Sequence, residues 1–240
     1  MSVPATANRV PLRIDFVSDV SCPWCAVGLK ALQQAIAAVE DDIAVELHFQ
    51  PFELNPQMPP EGQDTAEHLT QKYGSTAAQL AQNRETLRER GTEVGFQFNQ
   101  RSRVYNTFDA HRLLHWAGEQ GGAAELALKH ALLKAYFTDD RDVSSHDVLL
   151  QCAAVAGLDP AGAGQVLASD LYAAQVRQQQ RQYQQRGITA VPSVIINQEH
   201  LLQGAQPTAF FEQALRQIAS AADLSHDAPR ALAERRIDGS

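Results

Sequence analysis

The stretch that decides the fold is LRIDFVSDVSCPWCAVGLKAL, residues 12 to 32. Its first seven residues alternate apolar and polar side chains, which predicts a β-strand. After Cys22 the apolar positions follow a helical period, which predicts a helix reaching about Glu40. A second run of alternation over residues 43–54 predicts another strand, so the chain opens as a β-α-β unit. Cys22 and Cys25, spaced C-x-x-C, fall at the first strand-to-helix turn.

This position gives the cysteine pair a direct chemical consequence. A helix N-terminus presents unpaired N–H groups and the positive end of the helix dipole, and both favour an anion. We therefore expect Cys22 to be the reactive thiolate and Cys25, one turn further in, to be the resolving thiol. Pro23 suits the first helical position because it has no N–H to lose. Trp24 places a large apolar surface beside the thiol, for packing or for substrate contact.

A metal site is the alternative use of a C-x-x-C pair. It needs two further ligands at suitable spacing, and the only other cysteine, Cys152, stands alone in an apolar helical segment, where it is interpreted as a small buried hydrophobe. His111 and His115 are four residues apart, but HRLLH lacks the glutamate of H-E-x-x-H. We therefore expect no metal. Helix capping and packing account for Asn106 and His111.

The rest of the chain changes pattern twice. From Asp64 to about Gly187 only helical patterns are found, and β-like segments then return at 192–197 and 200–204, followed by an amphipathic helix. This order predicts an α/β fold with a large all-helical insertion. The predicted parts are an α/β domain over 10–56 and 187–220, a helical insertion over 57–186, and a flexible tail over 221–240.

Composition narrows the function. The 240 residues carry a net charge of −8 and no dense basic stripe, which argues against nucleic-acid binding. No apolar run has the length of a signal peptide or a membrane span, so we expect a cytoplasmic protein with no membrane partner. Three cysteines cannot form a secreted disulfide framework, and a close pair in a reducing compartment indicates catalysis.

A second segment of the site, expected to lie beside the cysteine pair, occurs about 170 residues further along the chain. Val191 and Pro192 stand directly before an apolar strand, where proline cannot continue the ladder from its nitrogen. In thioredoxin-like folds, a cis-proline beside the active-site cysteines has this place, and the residue before it offers its backbone to an extended substrate. The alternative is a trans proline at a strand edge.

With these motifs the sequence resembles the DsbA-like thioredoxin-fold oxidoreductases, in particular the FrnE-type branch. The matching blocks are SDVSCPWCAVG (18–28), QPFELNP (50–56), VYNTFDAHRLL (104–114), AYFTDDRDVSSHDVL (135–149) and GITAVPSVIINQEHLLQGAQP (187–207). The resemblance implies a thioredoxin-like fold with an all-helical insertion.

The resemblance also assigns roles to residues. It implies that Cys22 is the nucleophile, Cys25 the resolving thiol and Pro192 the cis-proline, with Pro23 and Trp24 as the dipeptide that tunes the pair. Asp15 roughly corresponds to an acid that, in related folds, sits beneath the active site and could relay a proton to Cys25. The alternative is a charged residue on an outward strand face.

The expected activity is thiol–disulfide exchange on a protein or small-molecule disulfide. We expect no bound cofactor, with glutathione as a candidate redox partner. The alternative, from sister branches of the fold, is a glutathione-dependent isomerase or transferase of the 2-hydroxychromene-2-carboxylate isomerase or kappa-class type. Those proteins usually have serine where Cys22 stands, so the presence of both cysteines favours dithiol exchange.

Overall fold

The structure is a computed structural model that describes the backbone of residues 9–234 and the side chains of residues 9–221. Its strands are β1 (Val10–Ser18), β2 (Ile43–Pro51), β3 (Gln63–Asp64), β4 (Arg103–Val104), β5 (Ser193–Ile196) and β6 (His200–Gln203). Its helices are α1 (Pro23–Ala38), α2 (Thr65–Tyr73), α3 (Ala77–Glu93), α4 (Phe108–Glu119), α5 (Gly122–Phe137), α6 (His146–Val155), α7 (Pro160–Leu167), α8 (Ala173–Gln185) and α9 (Thr208–Glu234).

The main sheet has four strands in the order β2-β1-β5-β6. β1 runs parallel to β2, as is typical of two neighbouring strands joined through a helix such as α1. β5 joins the other edge of β1 in the antiparallel sense, with Val17 opposite Ser193 and Ile14 opposite Ile196. β1, which leads into the cysteine pair, therefore has a neighbouring strand on each edge. One of these neighbours, β5, follows only after the helical segment.

The alternation of β1 divides the core between the two faces of the sheet. Ile14 and Phe16 pack with α1 and the helices beyond it in the main apolar cluster. Val17 points to the opposite face, where it packs in a second, smaller cluster with Tyr183 of α8. Because β1 is covered on both faces, six of its nine residues are buried, including all five from Ile14 to Ser18, which is typical of a central strand.

The segment between β2 and β5 is mainly helical, as predicted, with one exception. β3 and β4 form a two-stranded antiparallel ribbon in which Gln63 lies opposite Val104. The expectation of purely helical structure was wrong here, because strands of two residues are too short to show a period. Asn106 does not serve as the N-cap of α4. Its side chain accepts a hydrogen bond from the Phe108 N–H, and Thr107 stands at the N-cap position.

The end of the chain also differs from the sequence prediction. The tail over 221–240 was predicted to begin too early, because α9 continues to Glu234. Residues 221–234 contain several alanine and leucine residues with high helix propensity, which outweighs the lack of clear apolar periodicity. Residues 235–240 of that predicted tail lie outside the described residues.

The β5–β6 turn uses Asn197 and Gln198 with positive φ angles of 51° and 62°. Over the part of the chain described, no helix is long and apolar enough to cross a membrane.

Candidate active site

Cys22 occupies the junction between the loop after β1 and the start of α1. It is the N-cap residue, with extended backbone angles, and Pro23 takes the first helical position. Cys25 follows in the first turn, and its N–H donates to the Cys22 carbonyl at 3.1 Å. Both cysteines are free thiols. α1 therefore begins at Cys22, and the positive end of the helix dipole lies at this residue.

The two sulfurs differ in their surroundings. Cys22 keeps 4% of its surface exposed, whereas Cys25 is fully buried. Burial raises the pKa of the Cys25 thiol well above its usual range, and its hydrogen bond and charge interaction with Cys22 raise it further. The positive charge of Lys129 and a backbone hydrogen bond from Asp19 oppose this shift. A substrate can therefore reach Cys22 first, while Cys25 is held protonated behind it.

The second half of the site comes from the loop before β5. The Val191–Pro192 peptide bond is cis. The thiol of Cys22 donates a hydrogen bond to the Val191 carbonyl oxygen, with 3.7 Å between sulfur and oxygen. The Pro192 carbonyl accepts the Gly204 N–H at 2.8 Å, which ties this loop to the residue that follows β6. The fold thus brings together Cys22, Val191 and Pro192.

Gly28 is a structural part of the site that the sequence reasoning missed. A Cβ atom at this position would lie 3.1 Å from Cγ of Pro192, closer than most such contacts. The absence of a side chain lets α1 approach the proline loop directly. A glycine inside a helix is unfavourable by about 1 kcal/mol relative to alanine, so its position in the sequence AVGLKAL was an available signal.

Asp19 is the acid that the structure places beside the cysteine pair. Its side chain is fully buried, and it accepts hydrogen bonds from the N–H and hydroxyl of Ser21 at 3.1 and 2.9 Å and from the Leu54 N–H at 2.7 Å. Nε2 of His111 lies 3.5 Å from the carboxylate. Burial alone would raise the pKa of Asp19, but His111 and the backbone N–H groups lower it to about 2.

The Asp19 carbonyl accepts the Cys22 N–H at 3.3 Å, so this residue fixes the loop that precedes the reactive cysteine. The sequence indicated only a packing role for His111, whereas in the structure this residue also interacts with the Asp19 carboxylate and lowers its pKa. His111 belongs to α4, which lies about 90 residues further along the chain. Spacing in the sequence could not have indicated this contact.

Two further buried charges on α5 lie behind the cysteines. Lys129 is 1% exposed, and its ammonium group lies 5.6 Å from the centre of the Phe49 ring. Burial lowers the pKa of Lys129, while the nearby sulfur and carboxylate groups act in the opposite direction. Glu125, one turn earlier on the same helix, has its pKa raised by burial to about 7. Neither residue was singled out from the sequence.

The structure does not bring Asp15 to the cysteines, so its expected role as a proton relay to Cys25 is corrected. Its side chain lies on the opposite face of β1, where it is bound by Arg13 at 2.9 Å and by the Gln50 side-chain amide at 2.8 Å. Alternation along the strand explains this result, since Ile14 faces α1 and Asp15 must then face α8.

The remaining residues singled out from the sequence are Trp24 and Cys152. Trp24 is 38% exposed and presents its ring to solvent beside Cys22. Cys152 is buried in α6, and burial raises its pKa to about 11, which keeps this thiol protonated and unreactive. Among the side chains described, no group of three or more His, Cys, Asp and Glu residues is placed to hold a metal ion.

A cysteine pair that starts a helix after the central strand, next to a proline loop from a distant part of the chain, defines the thioredoxin-like class of thiol oxidoreductases. A model of the DSBA-like thioredoxin domain matches residues 13–216, and the chain belongs to this DsbA-like family. The predicted fold class and family are thereby confirmed.

Individual proteins are similar to this chain over most of its length. The probable DsbA oxidoreductase SCO1869 of Streptomyces coelicolor is 36% identical, covers 88% of this chain and 90% of its own, and superposes with a TM-score of 0.81. The uncharacterized protein YwbO of Bacillus subtilis is 29% identical over 85% of this chain and 96% of its own length. The cytosolic disulfide reductase DsbM of Pseudomonas aeruginosa, in a structure with GSH, shares the fold at 20% identity and a TM-score of 0.56, covering 85% of this chain and 99% of its own.

Proposed function

We propose that the protein is a dithiol–disulfide oxidoreductase in which Cys22 is the nucleophile and Cys25 the resolving thiol. The observation that carries the proposal is the placement of Cys22 at the N-terminus of α1, with Cys25 one turn behind it and fully buried. This arrangement supplies one slightly exposed sulfur at the helix N-terminus, where the helix dipole favours a thiolate, and one fully buried sulfur next to it.

In the proposed reaction the Cys22 thiolate attacks one sulfur of a substrate disulfide. A bond forms between Cys22 and that sulfur, the substrate S–S bond breaks, and the first substrate thiolate leaves. Cys25 then loses its proton and attacks the Cys22 sulfur, which releases the second substrate thiolate and forms the Cys22–Cys25 disulfide. The substrate gains two electrons and the protein loses two.

The second step requires Cys25 to become a thiolate in a buried position that disfavours the charge. The ammonium group of Lys129 is the nearby positive charge that stabilises this thiolate. The buried Asp19 carboxylate holds the loop in front of Cys22 and keeps its own negative charge paired with hydrogen-bond donors. Lys129 thus assists resolution, and Asp19 fixes the loop that precedes Cys22.

A thiol such as glutathione is the proposed redox partner that returns the oxidised pair to the dithiol form. The resemblance of the fold to DsbM, whose structure is described with GSH, supports this part of the proposal. Membership of the FrnE-type branch and a cytosolic site of action remain predictions. Sequence comparison within the branch tests the former, and fractionation of cells that express the native chain tests the latter.

The test uses variants of the two cysteines, with Cys152→Ser as the matched control. Pre-reduced wild-type protein and Cys152→Ser should reduce one equivalent of a disulfide per cysteine pair. Cys22→Ser should lose this activity. Cys25→Ser should accumulate a mixed disulfide through Cys22, detected by intact-protein mass spectrometry. Full activity of Cys22→Ser would contradict the proposal, and glutathione-dependent isomerisation by that variant would favour the isomerase alternative.

A further inference from the structure

A cleft of about 530 Å³ lies beside the cysteine motif. Pro23, which is bonded to Cys22, lines it, together with residues of α2, α3 and the segment 98–102. Its volume falls in the range of small-molecule sites. None of the catalytic steps above uses this cleft.

The lining of the cleft combines an apolar surface with unpaired positive charge. Leu69, Leu80 and Phe98 contribute the apolar part. Arg84 and Arg101 also line the cleft, and no described carboxylate lies within ion-pair distance of either guanidinium. This local excess of positive charge stands out in a chain whose net charge is −8.

Arg101 makes more contacts than Arg84. Its guanidinium lies 5.1 Å from the Tyr136 ring centre and 5.0 Å from that of Phe137, and one nitrogen donates to the Tyr136 hydroxyl at 3.1 Å. These contacts fix the planar group and leave further N–H donors for a ligand. Arg84 is exposed and makes only a 3.3 Å hydrogen bond to the Leu80 carbonyl.

The other charged groups of the cleft are already engaged. Glu85 forms an ion pair with Arg88 at 2.5 Å, so the charges of these two residues offset each other. Asp64 caps α2 by accepting the Glu67 N–H at 2.9 Å. Thr65 also lines the cleft, and its hydroxyl is a buried polar group without a hydrogen-bond partner among the described residues. A ligand that brings an anionic oxygen acceptor into this cleft meets donors that the protein leaves unused.

We infer that this cleft selects the substrate: a small disulfide whose sulfur carries an aromatic or other apolar group bearing a carboxylate. The apolar group lies against Leu80 and Phe98, the carboxylate pairs with Arg101 and more weakly with Arg84, and the disulfide is held at Cys22. This inference rests on the proposed disulfide exchange, since it names the substrate class of that same site. The step is the exchange described above, and it needs no further reactant in a single turnover.

The experiment compares two aromatic disulfides in single turnover with pre-reduced protein. Dithiobis(nitrobenzoate) carries a carboxylate on each ring, whereas 4,4′-dithiodipyridine is neutral. Arg101→Gln should slow the reaction with the carboxylate reagent about tenfold, a change that corresponds to about 1.4 kcal/mol, and leave the reaction with dithiodipyridine unchanged. Arg84→Gln should act in the same direction with a smaller effect, which keeps the test valid if Arg101→Gln folds poorly.

Arg181→Gln is the control, because Arg181 is exposed on α8 and its replacement makes the same change in net charge outside the cleft. An equal loss in this control would overturn the inference in favour of general attraction of anions. Equal losses with both disulfides, or none with either, would also overturn it, while leaving the proposed exchange intact. Failure of the wild-type protein to react with either reagent would instead overturn the proposed function itself.

Discussion

Replacing Asp19 with asparagine removes a buried charge while keeping the shape of the side chain. In the native protein each carboxylate oxygen accepts a backbone N–H, one from Ser21 at 3.1 Å and one from Leu54 at 2.7 Å. An amide has only one acceptor oxygen, so its NH₂ group must face one of these donors. The substitution therefore breaks at least one buried hydrogen bond, and it also removes the anionic partner of His111.

The expected loss of stability follows from two observations that describe the same contacts. The pKa of Asp19 is lowered from 3.8 to about 2, and each unit corresponds to about 1.4 kcal/mol of preference for the charged form. A buried donor left without a partner costs about 1–3 kcal/mol. Because these effects overlap, we expect Asp19→Asn to lower the free energy of unfolding by about 2–4 kcal/mol, or the Tm by roughly 5–15 °C.

Urea unfolding at several pH values measures this effect and separates its parts. A carboxyl group with a lowered pKa in the folded state stabilises above its unfolded pKa, and this contribution is lost as the pH falls from about 4 towards 2. Asp19→Asn should lack that component of the acid response.

Asp42→Asn provides the control, since Asp42 is exposed and its ion pair with Arg216 is 3.3 Å long. It should change stability by no more than about 0.5 kcal/mol. A loss below about 1 kcal/mol in Asp19→Asn, or an unaltered acid response, would refute the reasoning.

Three further predictions concern the surroundings of the cysteine pair. Gly28→Ala should displace Pro192 by a few tenths of an ångström and so slow the reaction of Cys22 with disulfides about two- to fivefold. Stopped flow measures this rate, and an unchanged rate would show that the close contact is not needed. Burial raises the pKa of Glu125 to about 7, so the free energy of unfolding of the native protein should fall by up to about 3 kcal/mol as the pH rises from 4.5 to 7. Glu125→Gln should abolish this fall, which urea unfolding at pH 5 and 7.5 measures. A fall that persists in the variant argues against the prediction. Lys129→Met should raise the pKa of Cys25 further and slow resolution of a Cys22 mixed disulfide about tenfold near pH 7, measured by quenched-flow mass spectrometry. Equal resolution rates would remove Lys129 from the mechanism.

The parts of the site that the sequence could predict are those with local signals. The change from period two to a helical period at Cys22 located the strand, the helix and the thiol pair within a few residues. The strand, the helix and the thiol pair depend on neighbouring residues, so the chain itself reports them. Val191 and Pro192 could be placed beside the thiols only through the resemblance to thioredoxin-like folds, since a proline before an apolar strand can also be a trans proline at a strand edge.

The residues behind the thiols depend on contacts between distant segments. Asp19 stands in the loop one residue past β1, and nothing in the local sequence separates it from Asp15, which strand alternation sends to the other face. His111 and Lys129 come from helices about 90 and 105 residues beyond that loop. Helical periodicity shows which face of a helix is buried, but not which part of the domain it meets.

The position of β1 in the middle of the sheet affects the protein while it is being made. β2 follows β1 by about 25 residues, whereas β5 follows only after about 170. At a translation rate of 5–20 residues per second, one edge of β1 stays without a neighbour in the nascent chain for roughly 10 to 35 seconds. An open strand edge is a template for pairing with other polypeptides. Until Val191 leaves the ribosome, the Cys22 thiol also lacks its hydrogen bond to the Val191 carbonyl and the proline loop that packs beside it. Aggregation and premature oxidation of the thiol therefore compete with folding throughout that interval.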